Sequence, residues 1–271
     1  MKVMLVNGSS HLHGTTMTAL EEMIKVFHSE EVETEVVQLG GKPIADCLQC
    51  NVCQKTGKCV IKDDGVNEFV EKAKTADGFV FATPVYFAHP SGRLYDFLDR
   101  AFYSAGGYDA FKFKPGAAVA VARRGGTTAA LDGINKYFGI AQMPVAGSTY
   151  WNMVHGLYGE EASQDEEGMQ TMRNLARNMI LDDALFLKLG RESGILYPET
   201  ETNACTNFIS EVIRYVKLMA LIGSFGIEMS VAKKTDKIIQ EKLTGKVMEG
   251  GGFVCGWATG LIFGSENNKI S

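Results

Sequence analysis

Residues 116–122 read GAAVAVA, a run of small and branched apolar residues that contains no polar side chain. A strand that is apolar on both faces is typical of the centre of a parallel sheet, because helices cover such a sheet on both sides. The neighbouring parts of the chain show the alternation of strand and helix patterns that this arrangement requires. The run therefore predicts an α/β protein.

Further strands and helices can be assigned on both sides of this run. Short apolar runs predict strands at residues 2–8, 33–39 and 78–82, and a fifth strand near 143–149. Apolar residues at helical spacing predict the intervening helices over residues 15–28, around 66–73, around 94–102 and near 127–138. This order predicts an open, doubly wound sheet of five parallel strands with helices on both faces.

A longer helix is predicted after the fifth strand. Ser163 and Glu166 match the pattern of a capping box, in which each side chain caps the backbone of the other residue. Gly190 is the expected end of this helix. Its apolar face is predicted to consist of Met169, Met172, Leu175, Ala176 and Met179.

The charge balance and the apolar content limit the partners that we expect. The net charge is −5 and 22% of the residues are charged, so the chain lacks the excess of basic residues that would indicate binding to nucleic acid. The apolar stretch in the first ten residues is too short for a signal peptide, and no stretch reaches the roughly 18 apolar residues of a membrane span. We therefore expect a cytoplasmic protein, in which clustered cysteines favour metal or redox chemistry over structural disulfides.

Three loops that follow predicted strands have compositions typical of ligand sites, which in open parallel sheets lie beyond the carboxyl ends of the strands. NGSSHLHGTT, residues 7–16, offers hydroxyls and free helix amides that suit a phosphate, although a polar capping turn has a similar composition. The loop has neither a Walker lysine nor a GxGxxG pattern. A mononucleotide is therefore a better candidate than a dinucleotide.

The other two loops carry aromatic and basic residues. In TPVYFAHPSG, residues 83–92, the first four residues predict a stiff turn, and Tyr86 and Phe87 could cover a planar ring or simply close the core. In RRGGTT, residues 123–128, Arg123 and Arg124 could meet negative charge, and the glycines allow close approach of a ligand. Solvated arginines on a glycine turn are the simpler interpretation of the last loop, but together the three loops favour a ligand site at one sheet edge.

The chain resembles the flavodoxin-like NADPH-dependent FMN reductase superfamily, and in particular its iron–sulfur flavoprotein branch. The similar motifs, in the family's order, are GSSHLHGTT, CLQCNVCQKTGKCVIKDD, TPVYF, SGRLYDFLDR, RRGG and GSTYWN. The resemblance covers about residues 1–190 and weakens beyond them. It implies a flavodoxin-like fold, bound FMN, and a homodimer or homotetramer.

The resemblance also implies which residues bind FMN. The first loop would hold the phosphate, the second would contact the isoalloxazine ring, and the third would lie near its pyrimidine edge. At His11 the family commonly has an arginine, and a neutral imidazole binds phosphate less strongly than a guanidinium. The residues carried over are Ser9, His11, Gly14, Thr15 and Thr16 for the phosphate, Thr83, Pro84, Val85, Tyr86 and Phe87 for the ring, and Arg124, Gly125 and Gly126 for the pyrimidine edge.

Four of the six cysteines lie within residues 47–59, at a spacing that suits an iron–sulfur cluster. Three follow the C-x2-C-x2-C order with which bacterial ferredoxins hold three corners of a [4Fe–4S] cluster, and the fourth comes after a glycine turn. Zinc, a disulfide or dithiol, and a loop without metal remain open as alternatives, although zinc sites usually join two separated cysteine pairs. In the iron–sulfur flavoproteins this pattern ligates the cluster, so the resemblance assigns it to Cys47, Cys50, Cys53 and Cys59.

The C-terminal quarter has a different character. We expect residues 1–197 to form the FMN-binding domain, with the cysteine loop inserted, and residues 198–271 to form a helical and glycine-rich extension. A helix is predicted near 205–222, and Cys205 and Cys255 are expected to be packing residues. An oligomer contact is the favoured role of the extension, and a loop over the flavin and membrane association are the alternatives. The glycines that would line one helix face and permit close packing are Gly252, Gly256, Gly260 and Gly264.

The resemblance implies an FMN-dependent oxidoreductase that passes electrons between a donor, ferredoxin or NAD(P)H, and a small-molecule acceptor. In the family the cluster lies near the FMN of a neighbouring subunit, which would make assembly part of the electron path. No catalytic side-chain base is expected, because backbone amides near the flavin would stabilise its reduced form. A cluster-free NAD(P)H-dependent FMN or quinone reductase and a flavodoxin-like carrier without turnover are the alternatives.

Overall fold

The computed structural model describes residues 1–105 and 110–195, which belong to one compact unit, Met1–Leu196. Within these residues, five parallel strands form the central sheet, and a two-residue strand pairs antiparallel with the end of the third. The strands are β1 (Lys2–Asn7), β2 (Glu33–Gln38), β3 (Gly78–Tyr86), β4 (His89–Pro90), β5 (Gly116–Ala122) and β6 (Met153–His155).

The strand order is β2-β1-β3-β5-β6, and β4 lies off this path beside β3. This is the flavodoxin-like order, in which the chain first moves to one side of β1 and then to the other. The reversal leaves a crevice between the carboxyl ends of β1 and β3, where ligands of such sheets bind. The structure therefore confirms the predicted flavodoxin-like, doubly wound α/β fold.

Helices cover both faces of the sheet because each central strand is apolar on both sides. In β1, Met4 and Val6 pack in a core with residues of α3, α4 and α5, whereas Val3 and Leu5 pack on the other face with α1 and α7. The helices are α1 (Thr15–Ser29), α2 (Val52–Thr56), α3 (Val66–Ala73), α4 (Gly92–Ser104), α5 (Thr127–Ile140), α6 (Gly159–Ala162), α7 (Glu166–Asp183), a π-helical turn (Ala184–Leu189) and α8 (Gly190–Glu192).

The GAAVAVA run forms β5, and every one of its residues is buried between β3 and β6. Glycine at its first residue permits close packing, because a Cβ on Gly116 would lie 2.9 Å from side-chain atoms of both Phe138 and Met143. The end of α5 and the following loop therefore pack directly on the sheet at this residue. The central parallel strand that the sequence predicted is confirmed.

The fifth parallel strand is not where the sequence predicted it. Residues near 143–149 meet β5 through a single bridge, between Gly116 and Val145, and regular pairing begins only at β6. The Ala146 amide still donates to the Gly116 carbonyl, and the Ala120 amide donates to the Asn152 carbonyl. The chain between these two points loops out of the ladder, because its sequence, GSTYW, interrupts the apolar run.

The predicted boundaries of the long helix were also wrong. Asp165, rather than Ser163, caps α7, because its carboxylate accepts a hydrogen bond from the Gly168 amide at 2.9 Å. The Ser163 hydroxyl instead donates to the Glu160 carbonyl at 2.7 Å, within the turn that ends α6. The helical path does not stop at Gly190, since the π-helical turn follows α7 and Gly190 begins α8.

Several predictions concern residues outside the described part of the chain. These are the helix near 205–222, the four spaced glycines, the packing roles of Cys205 and Cys255, and the boundary between residues 197 and 198. Across residues 1–105 and 110–195, no helix is both long and apolar enough to cross a membrane.

Candidate functional site

The three loops predicted to bind a ligand follow β1, β3 and β5, which are neighbours in the sheet, so all three leave the same edge. The Gly8 amide of the first loop donates to the Ala82 carbonyl at 2.8 Å, and the Ser91 hydroxyl of the second loop donates to the Gly8 carbonyl at 2.9 Å. Gly126 of the third loop packs against Ala88 of the second. We call this surface the three-loop edge: residues 7–16, 83–92 and 123–128.

Side-chain hydrogen bonds hold the first loop in shape. The Asn7 carboxamide oxygen accepts from the Ser9 amide at 3.0 Å, and the Ser9 hydroxyl oxygen accepts from the His11 amide at 3.1 Å. Gln38, at the end of β2, donates to the Ser9 carbonyl at 2.8 Å and accepts from the Asn7 carboxamide at 2.6 Å. Asn7 and Gln38 were not among the predicted site residues, although polar residues at the carboxyl ends of two neighbouring strands were a usable signal.

The start of α1 offers groups that suit an anion. Its N-cap is Gly14, which has no side chain to accept from the amides of the first helical turn. The Thr16 hydroxyl is buried and has no hydrogen-bond partner among the described residues. The Cβ position of Gly14 lies 3.3 Å from the His11 Cβ and 4.0 Å from the Ser9 hydroxyl oxygen, so Ser9 and His11 lie beside the start of α1, where Thr15 and Thr16 form the first turn. A buried hydroxyl without a partner beside free helix amides fits a phosphate group.

The second loop is a hairpin rather than the predicted stiff turn at residues 83–86, because β3 continues through Tyr86 and pairs with β4. The Thr83 hydroxyl closes its base by accepting from the Ser91 amide at 2.9 Å. The chain reverses at Phe87 and Ala88, whose φ angles of 50° and 62° are unusual for residues other than glycine. Phe87 is 99% exposed at this strained tip, so its ring is available to a planar ligand or to another protein surface.

The third loop has one glycine that packing requires and one that faces open space. Gly126 has φ 99°, and a Cβ there would lie 2.7 Å from the Ala88 Cα. A Cβ on Gly125 would meet no atom of the chain within 4 Å. Arg123 and Arg124 are exposed. Gly126 therefore packs directly against the hairpin, whereas the space beside Gly125 and Arg124 is open to a ligand.

A fourth loop, which the sequence reasoning did not assign to the site, folds over the first. It follows β6, and a Cβ on Gly159 would lie 3.0 Å from the Thr18 hydroxyl oxygen and 3.8 Å from the Gly14 carbonyl carbon. Asp165 fixes the beginning of this loop by accepting from the His155 amide at 2.7 Å. The glycines that follow β6 resemble those of the other three loops, so the sequence could have indicated this fourth loop as well.

The four clustered cysteines line one small cavity of about 20 Å³, together with Arg100, Tyr103 and Ser104 of α4. All four carry free thiols. Two left-handed residues, Gln49 with φ 49° and Asn51 with φ 58°, flank Cys50 and turn the chain sharply around the cavity. The spacing of the cysteines is therefore matched by a loop that brings all four residues to the lining of one cavity, with Cys53 buried and Cys50 exposed.

The surroundings of the thiols are only partly accessible to water. Burial raises the pKa of the Cys53 thiol, and the nearby Cys47, Cys59 and Cys50 raise it further because neighbouring thiolates repel each other. The Arg100 guanidinium donates to the Cys59 sulfur at 3.4 Å. A permanent positive charge thus lies at the rim of the cavity, where it would favour thiolate ligands.

The residues around this cavity fit a [4Fe–4S] cluster in type and number, since four cysteine thiolates are its usual ligands. The Ser104 hydroxyl is buried beside them and has no hydrogen-bond partner among the described residues. In residues 1–105 and 110–195, however, no three His, Cys, Asp or Glu side chains are gathered at metal-binding distances. The thiols share a cavity but do not meet at one point, so the loop would have to adjust to hold a cluster.

Comparisons with known proteins indicate the family of the chain. Residues 1–157 match the model of a family described as NADPH-dependent FMN reductase. An iron–sulfur flavoprotein of Methanocaldococcus jannaschii is 34% identical over 186 residues, which cover 66% of this chain and 95% of the relative. One from Archaeoglobus fulgidus is 32% identical over 181 residues, covering 64% and 92%. A solved flavoenzyme NAD(P)H:(acceptor) oxidoreductase from Paracoccus denitrificans has a TM-score of 0.51 at 15% identity, over 68% of this chain and 98% of that one, and this likeness concerns the fold alone.

Proposed function

Because the chain belongs to the NADPH-dependent FMN reductase family, we propose that it is an FMN-dependent oxidoreductase that carries a [4Fe–4S] cluster on its four clustered cysteines. It passes electrons between a donor, ferredoxin or NAD(P)H, and a small-molecule acceptor. The family is one of flavoprotein oxidoreductases, which supports FMN as the cofactor. The names of the iron–sulfur flavoprotein relatives support the cluster.

The observation that carries the cluster proposal is that all four thiols line one cavity. A loop built only as a surface turn gains nothing from placing four cysteines around one cavity, with two non-glycine residues held in left-handed conformations. A bound cluster would give this backbone strain a function. The iron would be held by Cys47, Cys50, Cys53 and Cys59.

The three-loop edge is proposed to bind FMN. The amides at the start of α1 and the Thr16 hydroxyl would hold the phosphate, with Ser9, His11, Gly14 and Thr15 around it. Thr83–Phe87 would contact the isoalloxazine ring, and Arg124, Gly125 and Gly126 would lie at its pyrimidine edge. Bound FMN supplies exchange of one or two electrons, and the cluster supplies exchange of one. No side chain is proposed as a general base, since the edge offers backbone amides and hydroxyls to the ring.

The position of the cysteine cavity supports an electron path that runs from one subunit to another. The cavity is lined by Arg100 and Tyr103, near the end of α4, whereas Ser91 begins α4 at the three-loop edge. At 1.5 Å per residue, the helix separates Ser91 from these two side chains by roughly 14 to 18 Å. We propose that a homodimer or homotetramer brings the cysteine loop of one subunit close to the FMN of another. A fully active monomer in sedimentation at assay concentration would contradict this.

Iron content and the visible spectrum of protein purified without oxygen test the cluster. We expect about four irons per chain and broad absorbance near 400 nm over the flavin bands. The Cys53→Ser variant should lose the iron, and Cys205→Ser, outside the loop, is the matched control and should retain it. A clean flavin spectrum without iron, even after reconstitution, would reject the cluster and leave FMN binding intact.

A cluster-free NAD(P)H-dependent FMN or quinone reductase is the second candidate function. It is favoured by the absence of a gathered metal site among the described residues. Oxidation of NAD(P)H by iron-free protein at the rate of the iron-loaded protein, without ferredoxin, would support it. Absence of turnover with every donor and acceptor pair would instead indicate a flavodoxin-like carrier.

For residues 198–271 we propose a contact in the oligomer, and the support comes from the sequence alone. Glycines repeat every four residues in this segment, a spacing that permits close packing of helices. Deletion of residues 250–271 should change the mass of the assembly measured by sedimentation. An unchanged assembly would reject this role.

A further inference from the structure

Arg100 is a buried cation that reaches the cysteine loop through several hydrogen bonds. It lies on α4, and only 1% of its surface is exposed. Its Nε donates to the Cys59 sulfur at 3.4 Å, while its two terminal nitrogens donate to the Ala45 carbonyl at 3.3 Å and the Ile61 carbonyl at 3.2 Å. The same terminal nitrogens form an ion pair with Asp64. The guanidinium therefore joins α4 to chain segments on both sides of the cysteines.

Arg100 is the member of this ion pair that contacts the cysteine sulfur. The Arg100 Nε faces the Cys59 sulfur, whereas Asp64 binds the terminal nitrogens on the other side of the guanidinium. The positive end of the pair is thus directed at the cavity. A buried charge must be paired to be tolerated, and Asp64 meets that need at the terminal nitrogens while the Arg100 Nε stays on the Cys59 sulfur.

We propose that Arg100 raises the reduction potential of the iron–sulfur cluster and that Asp64 lowers it, an inference that rests on the proposed function. Reduction adds one electron, and hence one negative charge, to a cluster held by Cys59. A cation in contact with a ligand sulfur stabilises the reduced form, and the carboxylate behind it has the opposite effect. Arg100 and Asp64 are positioning residues, since they act through Cys59.

The two charges can be removed separately in iron-loaded protein. We would titrate Arg100→Gln, Asp64→Asn and the unsubstituted protein anaerobically with dithionite as the one-electron source, and follow the reduced cluster by electron paramagnetic resonance. At a fixed potential, R100Q should lower the ratio of reduced to oxidised cluster by about tenfold, and D64N should raise it by a smaller factor, because the carboxylate lies behind the guanidinium. Arg93→Gln is the matched control, because Arg93 is on the same helix and its Nε donates to the Lys42 carbonyl. It should leave the ratio unchanged.

Opposite shifts distinguish an electrostatic role from a structural one. If both substitutions merely loosened the loop, both would lose iron and shift the potential in the same direction, which would overturn the inference. If R100Q fails to fold, Arg100→Lys and D64N are compared instead. The ratio of reduced to oxidised cluster should then be close to that of the unsubstituted protein in R100K, and should still be higher in D64N. Iron present with unshifted potentials would overturn this inference alone, whereas no iron in the unsubstituted protein would overturn the cluster proposal and this inference with it.

Discussion

Replacement of Gly126 by alanine tests whether the third loop holds the hairpin at residues 83–92 in place. Gly126 precedes α5 with φ 99°, a region that residues with a Cβ seldom adopt. A Cβ at this position would lie 2.7 Å from the Ala88 Cα and 3.0 Å from the Val85 Cγ1. One of these neighbours is backbone, so a side-chain rotation cannot relieve the contact. The hairpin would have to shift.

The expected cost follows from three effects. The left-handed conformation costs alanine about 1–2 kcal/mol, and forcing the hairpin to move costs about 1–3 kcal/mol more. The lower entropy of the unfolded chain returns about 0.4–1 kcal/mol. We therefore expect Gly126→Ala to lower the free energy of unfolding by about 1–4.5 kcal/mol. FMN affinity should also fall, because the displaced hairpin carries the residues proposed to contact the ring.

Gly125→Ala provides the matched control. Its Cβ would meet no atom within 4 Å, so the stability should change by less than about 0.5 kcal/mol. Urea unfolding of the FMN-free proteins gives the stabilities, and quenching of flavin fluorescence gives the affinities. The reasoning is refuted if the two variants have the same unfolding midpoint. An FMN affinity of G126A equal to that of the unsubstituted protein, despite its lower stability, would refute the proposed role of the hairpin alone.

Three further predictions follow from other contacts. Thr16→Val removes a buried hydroxyl without a described partner, so it should leave the stability of FMN-free protein unchanged or slightly higher while weakening FMN binding about five- to tenfold, measured by fluorescence titration. If T16V lost as much free energy of unfolding without FMN as free energy of FMN binding, a role of Thr16 at the phosphate would be contradicted. Asp165→Ala removes the cap of α7 and the acceptor of the His155 amide, and should cost about 1–2 kcal/mol in urea unfolding, whereas Ser163→Ala should cost much less. A larger effect of S163A would restore the capping box that the sequence predicted. Burial raises the pKa of Glu22, but hydrogen bonds with two basic side chains lower it below its ordinary value overall. The charged form is therefore favoured by folding, and this stabilisation is present above the unfolded pKa of about 4.3 and lost as the pH falls through the lowered value. At pH 7, Glu22→Gln should be less stable by up to about 1 kcal/mol, and the difference should vanish in thermal unfolding at lower pH; a gap that persisted there would be inconsistent with this account.

The sequence by itself determined the class of fold and the location of the loops that we propose to bind FMN. The unbroken apolar run of β5 and the alternation of periods two and 3.6 around it are local properties that each segment shows alone. The same is true of the cysteine spacing and of the polar loops after β1, β3 and β5. Strands of a parallel sheet end at a common edge, so local patterns were enough to predict that the loops meet.

Only the tertiary structure decided features that depend on residues far apart in the chain. The sequence near 143–149 predicted a strand, but pairing with β5 places the strand at Met153–His155. Asp165 caps α7, and its carboxylate also accepts a hydrogen bond from the His155 amide. The contact between Arg100 and Cys59 joins residues 41 positions apart. No local pattern indicates such pairs, because their free energy comes from burial and hydrogen bonding that exist only once the helices have packed on the sheet.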